Sequence, residues 1–160
     1  MAIRAAVLGD AEAMAALLNP IIVAGGTTAY EDTVDAHGMR ARVFDRPGLV
    51  SAFVALDADG RLAGFQWVET YDEPGVGSIA TFARQEDPVP GTGRALFQAT
   101  RDAARSAGLT AIDAIIRADN TGGLAFYDKM GFEDYDVTPG VPLKDGTPVD
   151  RIRKRLRLKA

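Results

Sequence analysis

The strongest periodic signal in the chain is Thr92–Ala107. Leu96, Thr100, Ala103 and Ala107 fall on one helical face, with Arg94, Arg101 and Arg105 on the other. Gly108 follows as a helix-stopping residue. Upstream, Val50–Leu56, Arg61–Thr70 and Gly75–Ala83 predict the strands of an antiparallel meander. Asp57-Ala58-Asp59-Gly60, between the first two, favours a tight hairpin turn through its Asp-Gly pair. Ile3–Leu8 alternates loosely and predicts a short first strand. Asp10 then stands as the N-cap of a helix over Ala11–Leu18, apolar at Met14, Leu17 and Leu18. Asn19-Pro20 should break or bend that helix, because proline has no N–H to donate. Residues 33–45 predict a second helix, ended by Arg46-Pro47-Gly48. Beyond Gly108 the pattern predicts a strand at 110–117, a helix at 121–130 and a strand at 132–137. A loop over Pro139–Pro148 and a final strand over Val149–Leu158 complete the chain.

The resulting order is β-α-α-β-β-β-α-β-α-β-β. A meander passes into a β-α-β-α-β unit, so the fold class is α/β with a mixed (α+β) sheet and helices on its faces. No internal repeat or linker divides the chain, and a single domain over residues 1–160 is expected.

Composition then narrows the chemistry. The absence of cysteine excludes disulfides, thiolate zinc sites and a cysteine nucleophile. One histidine, His37, excludes a multi-histidine metal site, so no metal is expected. The formal net charge of −4, from 18 basic and 22 acidic residues, argues against bulk attraction to nucleic acid. No apolar run approaches the roughly 20 residues of a membrane span, and the first residues lack a signal-peptide core. A cytoplasmic protein is the default expectation.

Three features could carry chemistry. Gly91-Thr92-Gly93 opens the long helix, whose free N–H groups and dipole suit a phosphate, although Gly-x-Gly before a helix is equally a tight turn. Asn120 lies just past the strand at 110–117, where it can cap the next helix or meet a ligand. Tyr127, two turns into that helix, is either a core tyrosine packed with Leu124 or a phenolic proton donor.

Taken together, the element order, Gly91-x-Gly93, and Asn120…Phe126-Tyr127-x-Lys129-x-Gly131-Phe132 resemble the GNAT (Gcn5-related) family of acetyl-CoA-dependent N-acetyltransferases over nearly the whole chain. The resemblance implies a GNAT-like acyl-CoA N-acyltransferase fold, with acetyl-CoA as co-substrate. It implies that the strand ending Thr81-Phe82-Ala83 splays from its neighbour and holds the pantetheine arm. It also implies that the amides of Gly91, Thr92, Gly93 and Arg94 hold the pyrophosphate, that Asn120 contacts the coenzyme, and that Tyr127 protonates the departing thiolate. Pro88 stands where the family usually has Gln or Arg, and neither Pro88 nor Pro90 can donate an N–H. A non-catalytic acyl-CoA-binding or regulatory module is therefore the second reading.

On the acceptor side, Thr27–Thr33 is similar to a segment of the phosphinothricin and methionine-sulfoximine acetyltransferase branch. That similarity implies a small amino-acid-like amine as partner, with Glu31 beside it as base, water-orienting group or ammonium anchor. A solvated loop carboxylate is the other reading of Glu31, and Glu69 is the rival base. His37, in the helix expected over residues 33–45, is expected to be structural or solvent-facing. Acetylation of a protein N-terminus or lysine is the third possibility, and a homodimer is common in the family. Arg151, Arg153, Arg155 and Arg157 alternate along the last strand and predict one charged, exposed face that resists edge pairing.

Overall fold

A computed structural model describes residues 1–159. Strands β1 (Ala2–Ala5), β2 (Leu49–Leu56), β3 (Leu62–Thr70), β4 (Val76–Ala83), β5 (Ala111–Arg117), β6 (Glu133–Pro142) and β7 (Pro148–Arg157) form one sheet, ordered β1-β2-β3-β4-β5-β7-β6. β4 and β5 run parallel, and every other neighbouring pair is antiparallel. Helices α1 (Ala11–Ala24), α2 (Ala36–Met39), α3 (Thr92–Ser106) and α4 (Thr121–Lys129) complete the expected order.

Side chains alternate across a strand, so β3 feeds both faces. Phe65 and Trp67 pack with Met14, Leu18, Met39 and Val43 beneath α1 and α2. Val68 packs instead with Phe97, Ala104 and Ile112 beneath α3. Trp67 also stacks on Phe65 at 6.0 Å. Each such side chain, fully buried, contributes about 1.5–3 kcal/mol.

Several boundaries differ from the sequence expectation. β1 stops at Ala5 because the chain turns early. Asp10 does not cap α1 with its side chain; its carboxylate accepts the Val7 N–H at 2.8 Å and pairs with Arg4. α1 is not broken at Asn19-Pro20 but runs through to Ala24. Pro20 lies on the exposed side while Ile21 and Ile22 are buried. Burying two isoleucines, at about 1.5–3 kcal/mol each, offsets the roughly 3 kcal/mol cost of an interior proline.

The second helix starts at Ala36 rather than 33. Val34 is already committed, donating its N–H to Asn19 Oδ1 and accepting from Asn19 Nδ2, both at 2.8 Å. Asp35 then caps the helix by accepting the Gly38 N–H at 2.7 Å. A wider π-type turn carries it through Arg40–Phe44.

The expected loop at 139–148 is mostly sheet. β6 continues to Pro142, which sits opposite Pro148, and only Leu143–Thr147 turns. Proline is tolerated there because β6 is the edge strand and the ladder is already bulged between Thr138 and Val141.

The arginine stripe on β7 is also not a uniformly exposed face. Arg155 is buried, and its Nε and Nη2 donate to Asp113 Oδ1 and Oδ2 at 2.6 and 2.9 Å. Asp113 is fully buried and also accepts from the Tyr71 hydroxyl. Glu73 lies 3.0 Å from Arg155, and the Tyr135 ring lies 3.9 Å beneath its guanidinium. On the opposite face of β7, Lys154 is also buried, held by Asp128 at 2.7 Å and by Asp134.

Candidate active site

The site begins where the sheet parts. β4 and β5 pair only from Val76–Ala111 to Ile79–Ala114. Past that point β4 stays bonded to β3 as far as Ala83, and β5 stays bonded to β7 as far as Arg117. The edges that β4 and β5 present to each other therefore carry backbone N–H and C=O groups without a ladder partner. A cavity of about 510 Å³ lies at this parting, lined by Ile79–Ala83 from one strand and Ile115–Arg117 from the other. Phe82 and Ala83 both line this cavity.

α3 begins at the same end. Gly91 is its N-cap with φ +81°, a conformation that suits glycine. Among the described residues, no backbone acceptor meets the N–H groups of Gly91, Gly93 or Arg94. Thr92 differs: its N–H turns back to Val89 O at 3.3 Å, and its hydroxyl donates to the same oxygen at 2.6 Å. Of the four expected amides, Thr92 is therefore self-satisfied and three are open. Gly93 lines the cavity. A Cβ there would stand 2.6 Å from Phe126 Cε1, so glycine is also what lets α4 pack against α3. Gly93→Ala is expected to destabilise the fold by about 1–3 kcal/mol, read by urea unfolding, because the Phe126 ring must move.

The preceding loop is braced rather than loose. Arg84 donates to the carbonyls of Glu86 and Asp87 and pairs with Asp57 at 3.1 Å. Pro88 and Pro90 follow the braced residues, and Gln85 lines the cavity.

α4 supplies the other wall. Asn120 caps it, accepting the Gly123 N–H at 2.9 Å as the capping reading required. Its Nδ2 also donates to Thr27 O at 2.6 Å, a link to the N-terminal half that no local pattern announces. Arg117 does the same, donating to Thr28 O at 3.2 Å while its other nitrogens hold Asp119. That carboxylate raises the Arg117 pKa further, so the guanidinium stays charged. Tyr127 is only 7% exposed, lines the cavity, and packs edge-on against Phe126 and Phe132. Burial pushes its phenol up to about 12, opposed by a hydrogen bond with Thr81. Tyr127 is thus packed in the core while its side chain also lines the cavity.

Gln66 was not singled out in the sequence, and Thr81 was named only as part of the splaying strand. They face each other across β3 and β4. Gln66 Nε2 donates to Thr81 Oγ1 at 2.8 Å, and Thr81 Oγ1 lies 2.9 Å from the Tyr127 hydroxyl. A buried glutamine in a strand was the available signal, since such a group needs partners.

The two candidate carboxylates part company. Glu31 is exposed, is not among the residues lining the cavity, and accepts the Lys144 N–H at 3.1 and 3.3 Å. Its neighbour Asp32 pairs with the Lys144 side chain, so the β6–β7 turn holds this loop from outside. Glu69 does line the cavity, opposite Ser78 in the β3–β4 register, with Oε2 3.0 Å from Arg46. Tyr30, Trp67 and Phe82 form an aromatic wall beside it, with Arg42 stacked 3.9 Å over Tyr30. His37 is exposed on α2 and lies outside the cavity lining. Among the described residues, no group of His, Cys, Asp and Glu is arranged to hold a metal, and no helix is long and apolar enough to cross a membrane.

Solved structures share this architecture. The phosphinothricin acetyltransferase of Sinorhizobium meliloti, in complex with AcCoA, superposes with a TM-score of 0.85 at 19% identity, covering 98% of this chain and 88% of that one. The ribosomal-protein-alanine N-acetyltransferase of Brucella melitensis gives 0.88 at 21%, covering 99% and 100%. In sequence, the mycothiol acetyltransferase of Rhodococcus jostii (strain RHA1) is 38% identical over 97 residues, covering 58% of this chain and 32% of its own. That of Rhodococcus erythropolis (strain PR4 / NBRC 100887) is 32% identical over 120 residues, covering 71% and 38%. The chain spans roughly a third of the length of the curated relatives it matches. The model of the Acetyltransferase (GNAT) family matches residues 17–132, which include the parting strands, the Gly91 turn and the Asn120-capped helix. The chain belongs to the acetyltransferase (GNAT) family.

Proposed function

We propose that this protein transfers the acetyl group of acetyl-CoA to the primary amine of a small molecule, an amino acid or an amino-acid-like compound, by direct attack while both are bound. The observation that carries this reading is the parting of β4 from β5 with a buried phenol, Tyr127, on its wall. The chain's groups fit the coenzyme. Unpaired backbone at Ala80–Ala83 suits an amide-bearing arm, and the open N–H groups of Gly91, Gly93 and Arg94 suit a phosphate. Acetyl-CoA supplies an acyl carbon already activated as a thioester.

The remaining work is positioning and proton management. The backbone of β4 orients the acyl carbonyl. Glu69 takes the proton of the incoming amine, directly or through water, because a lysine-like amine with a pKa of about 10.4 is mostly protonated at neutral pH. Glu31, held to Lys144, orders the loop that carries Tyr30. Tyr127 gives its proton to the departing sulfur. The aromatic wall of Tyr30, Trp67 and Phe82 limits the access of water to the thioester.

The test is thiol release from acetyl-CoA against a panel of methionine, phenylalanine, phosphinothricin, spermidine and kanamycin, beside calorimetry with acetyl-CoA alone. Coenzyme binding and thiol release with at least one amino-acid-like amine are expected. Binding without turnover on any amine would favour the non-catalytic module, which Pro88 and Pro90 motivate. No binding at millimolar coenzyme would remove both.

A further inference from the structure

The cavity wall contains a polar chain for which coenzyme contact gives no reason. Gln66 is fully buried in β3, and its Oε1 has no partner. Its Nε2 donates to Thr81 Oγ1 at 2.8 Å. Thr81 Oγ1 lies 2.9 Å from the Tyr127 hydroxyl oxygen. A hydroxyl owns one hydrogen. Because Gln66 already donates into Thr81, the Thr81 hydrogen is unspent, and the Tyr127 oxygen is the acceptor within reach. Tyr127 then has no need to donate to Thr81, and its own hydrogen is left for the cavity.

We propose that Gln66 and Thr81 are positioning residues that fix the direction of this hydrogen-bond chain, so that Tyr127 accepts from the protein and donates into the cleft. The proposal rests on the acetyl-transfer reading above. The reversed chain would have Gln66 Oε1 accept from Thr81 and Thr81 accept from Tyr127. That arrangement would bury both amide hydrogens of Gln66 without an acceptor and turn the phenolic proton away from the site.

Direction matters for a second reason. Burial pushes the Tyr127 phenol up to about 12, while a thiol has an ordinary pKa of about 8.5. A proton donor so much weaker than the leaving thiol is helped by any bond that stabilises its phenolate. A hydroxyl donated by Thr81 is such a bond, and it acts against the effect of burial.

The experiment is a double-mutant cycle on thiol release from acetyl-CoA, using the fastest amine of the panel. Thr81→Val is nearly isosteric and removes the donor. It is expected to lower kcat about tenfold, the scale of one hydrogen bond, with KM for acetyl-CoA unchanged. Thr81→Ser should restore kcat, and Gln66→Met should lower it in the same direction. In a Tyr127→Phe background Thr81→Val should cost nothing further, because its effect passes through the phenol. An unchanged kcat in Thr81→Val, or an equal loss in both backgrounds, overturns the proposal while leaving acetyl transfer standing. Full activity in Gln66→Met removes Gln66 from the chain. Full activity in Tyr127→Phe, or no thiol release with any amine, overturns the underlying reading instead.

Discussion

Replacing Tyr127 by phenylalanine is expected to lower kcat for acetyl transfer by about 100-fold or more, the usual scale of a positioned general acid. The ring would keep its edge-on contacts with Phe126 and Phe132, so the fold and the cavity shape should survive. KM for acetyl-CoA should stay within about twofold, because a loss confined to proton donation is felt in the transition state rather than in binding. Steady-state kinetics and calorimetry separate the two. The wild-type pH profile carries a matching expectation. With the phenol pushed up to about 12, Tyr127 remains protonated through pH 10, where an exposed tyrosine would be half ionised. No loss of kcat between pH 8 and 10 should then trace to this residue. An alkaline fall that disappears in Tyr127→Phe would contradict it.

The largest expected effect on stability lies away from the cavity, at Asp113. Asp113→Ala should destabilise the protein by about 3–5 kcal/mol, read by urea unfolding. The carboxylate is fully buried and holds Arg155 through two hydrogen bonds while accepting from Tyr71. Its removal leaves a buried guanidinium with only the half-exposed Glu73 as counter-charge. Breaking such a pair costs more than never having had it. Asp113→Leu combined with Arg155→Met should therefore recover most of the loss. A single-variant effect below about 1 kcal/mol would mean that water replaces the carboxylate easily.

Much of this architecture was legible locally. Hydrophobic periodicity located α3, and the Asp57–Gly60 turn located the β2–β3 hairpin. Of the two readings of Asn120, the cap was legible because capping acts over three residues. Errors arose where distant chain segments meet. Pro20 was read as a break because its cost is local, whereas the burial of Ile21 and Ile22 that offsets it is tertiary. The extension of β6 beyond Val137 was missed because prolines at 139, 142 and 148 disguise an edge ladder that only its partner makes visible. In sequence Glu31 was preferred to Glu69, yet of the two only Glu69 lines the cavity. Their difference depends on Lys144, more than a hundred residues away from Glu31, and on the facing of β3. Gln66 and Thr81 meet only through the β3–β4 register.

The parting of β4 and β5 also bears on how such a site is inherited. Along Ala80–Ala83 the groups offered to the cleft are peptide N–H and C=O, and every residue type except proline offers the same set. Substitution can change side chains along this edge without erasing what the edge presents. A cradle encoded by strand geometry is insulated from sequence drift in a way that a cradle of lysines or arginines is not. Chains that agree at about one position in five can then keep one architecture, as the 19% and 21% identities at TM-scores of 0.85 and 0.88 illustrate. The part of the cavity lined by the side chains of Tyr30, Trp67 and Glu69 has no such insulation, and single substitutions there would reshape it.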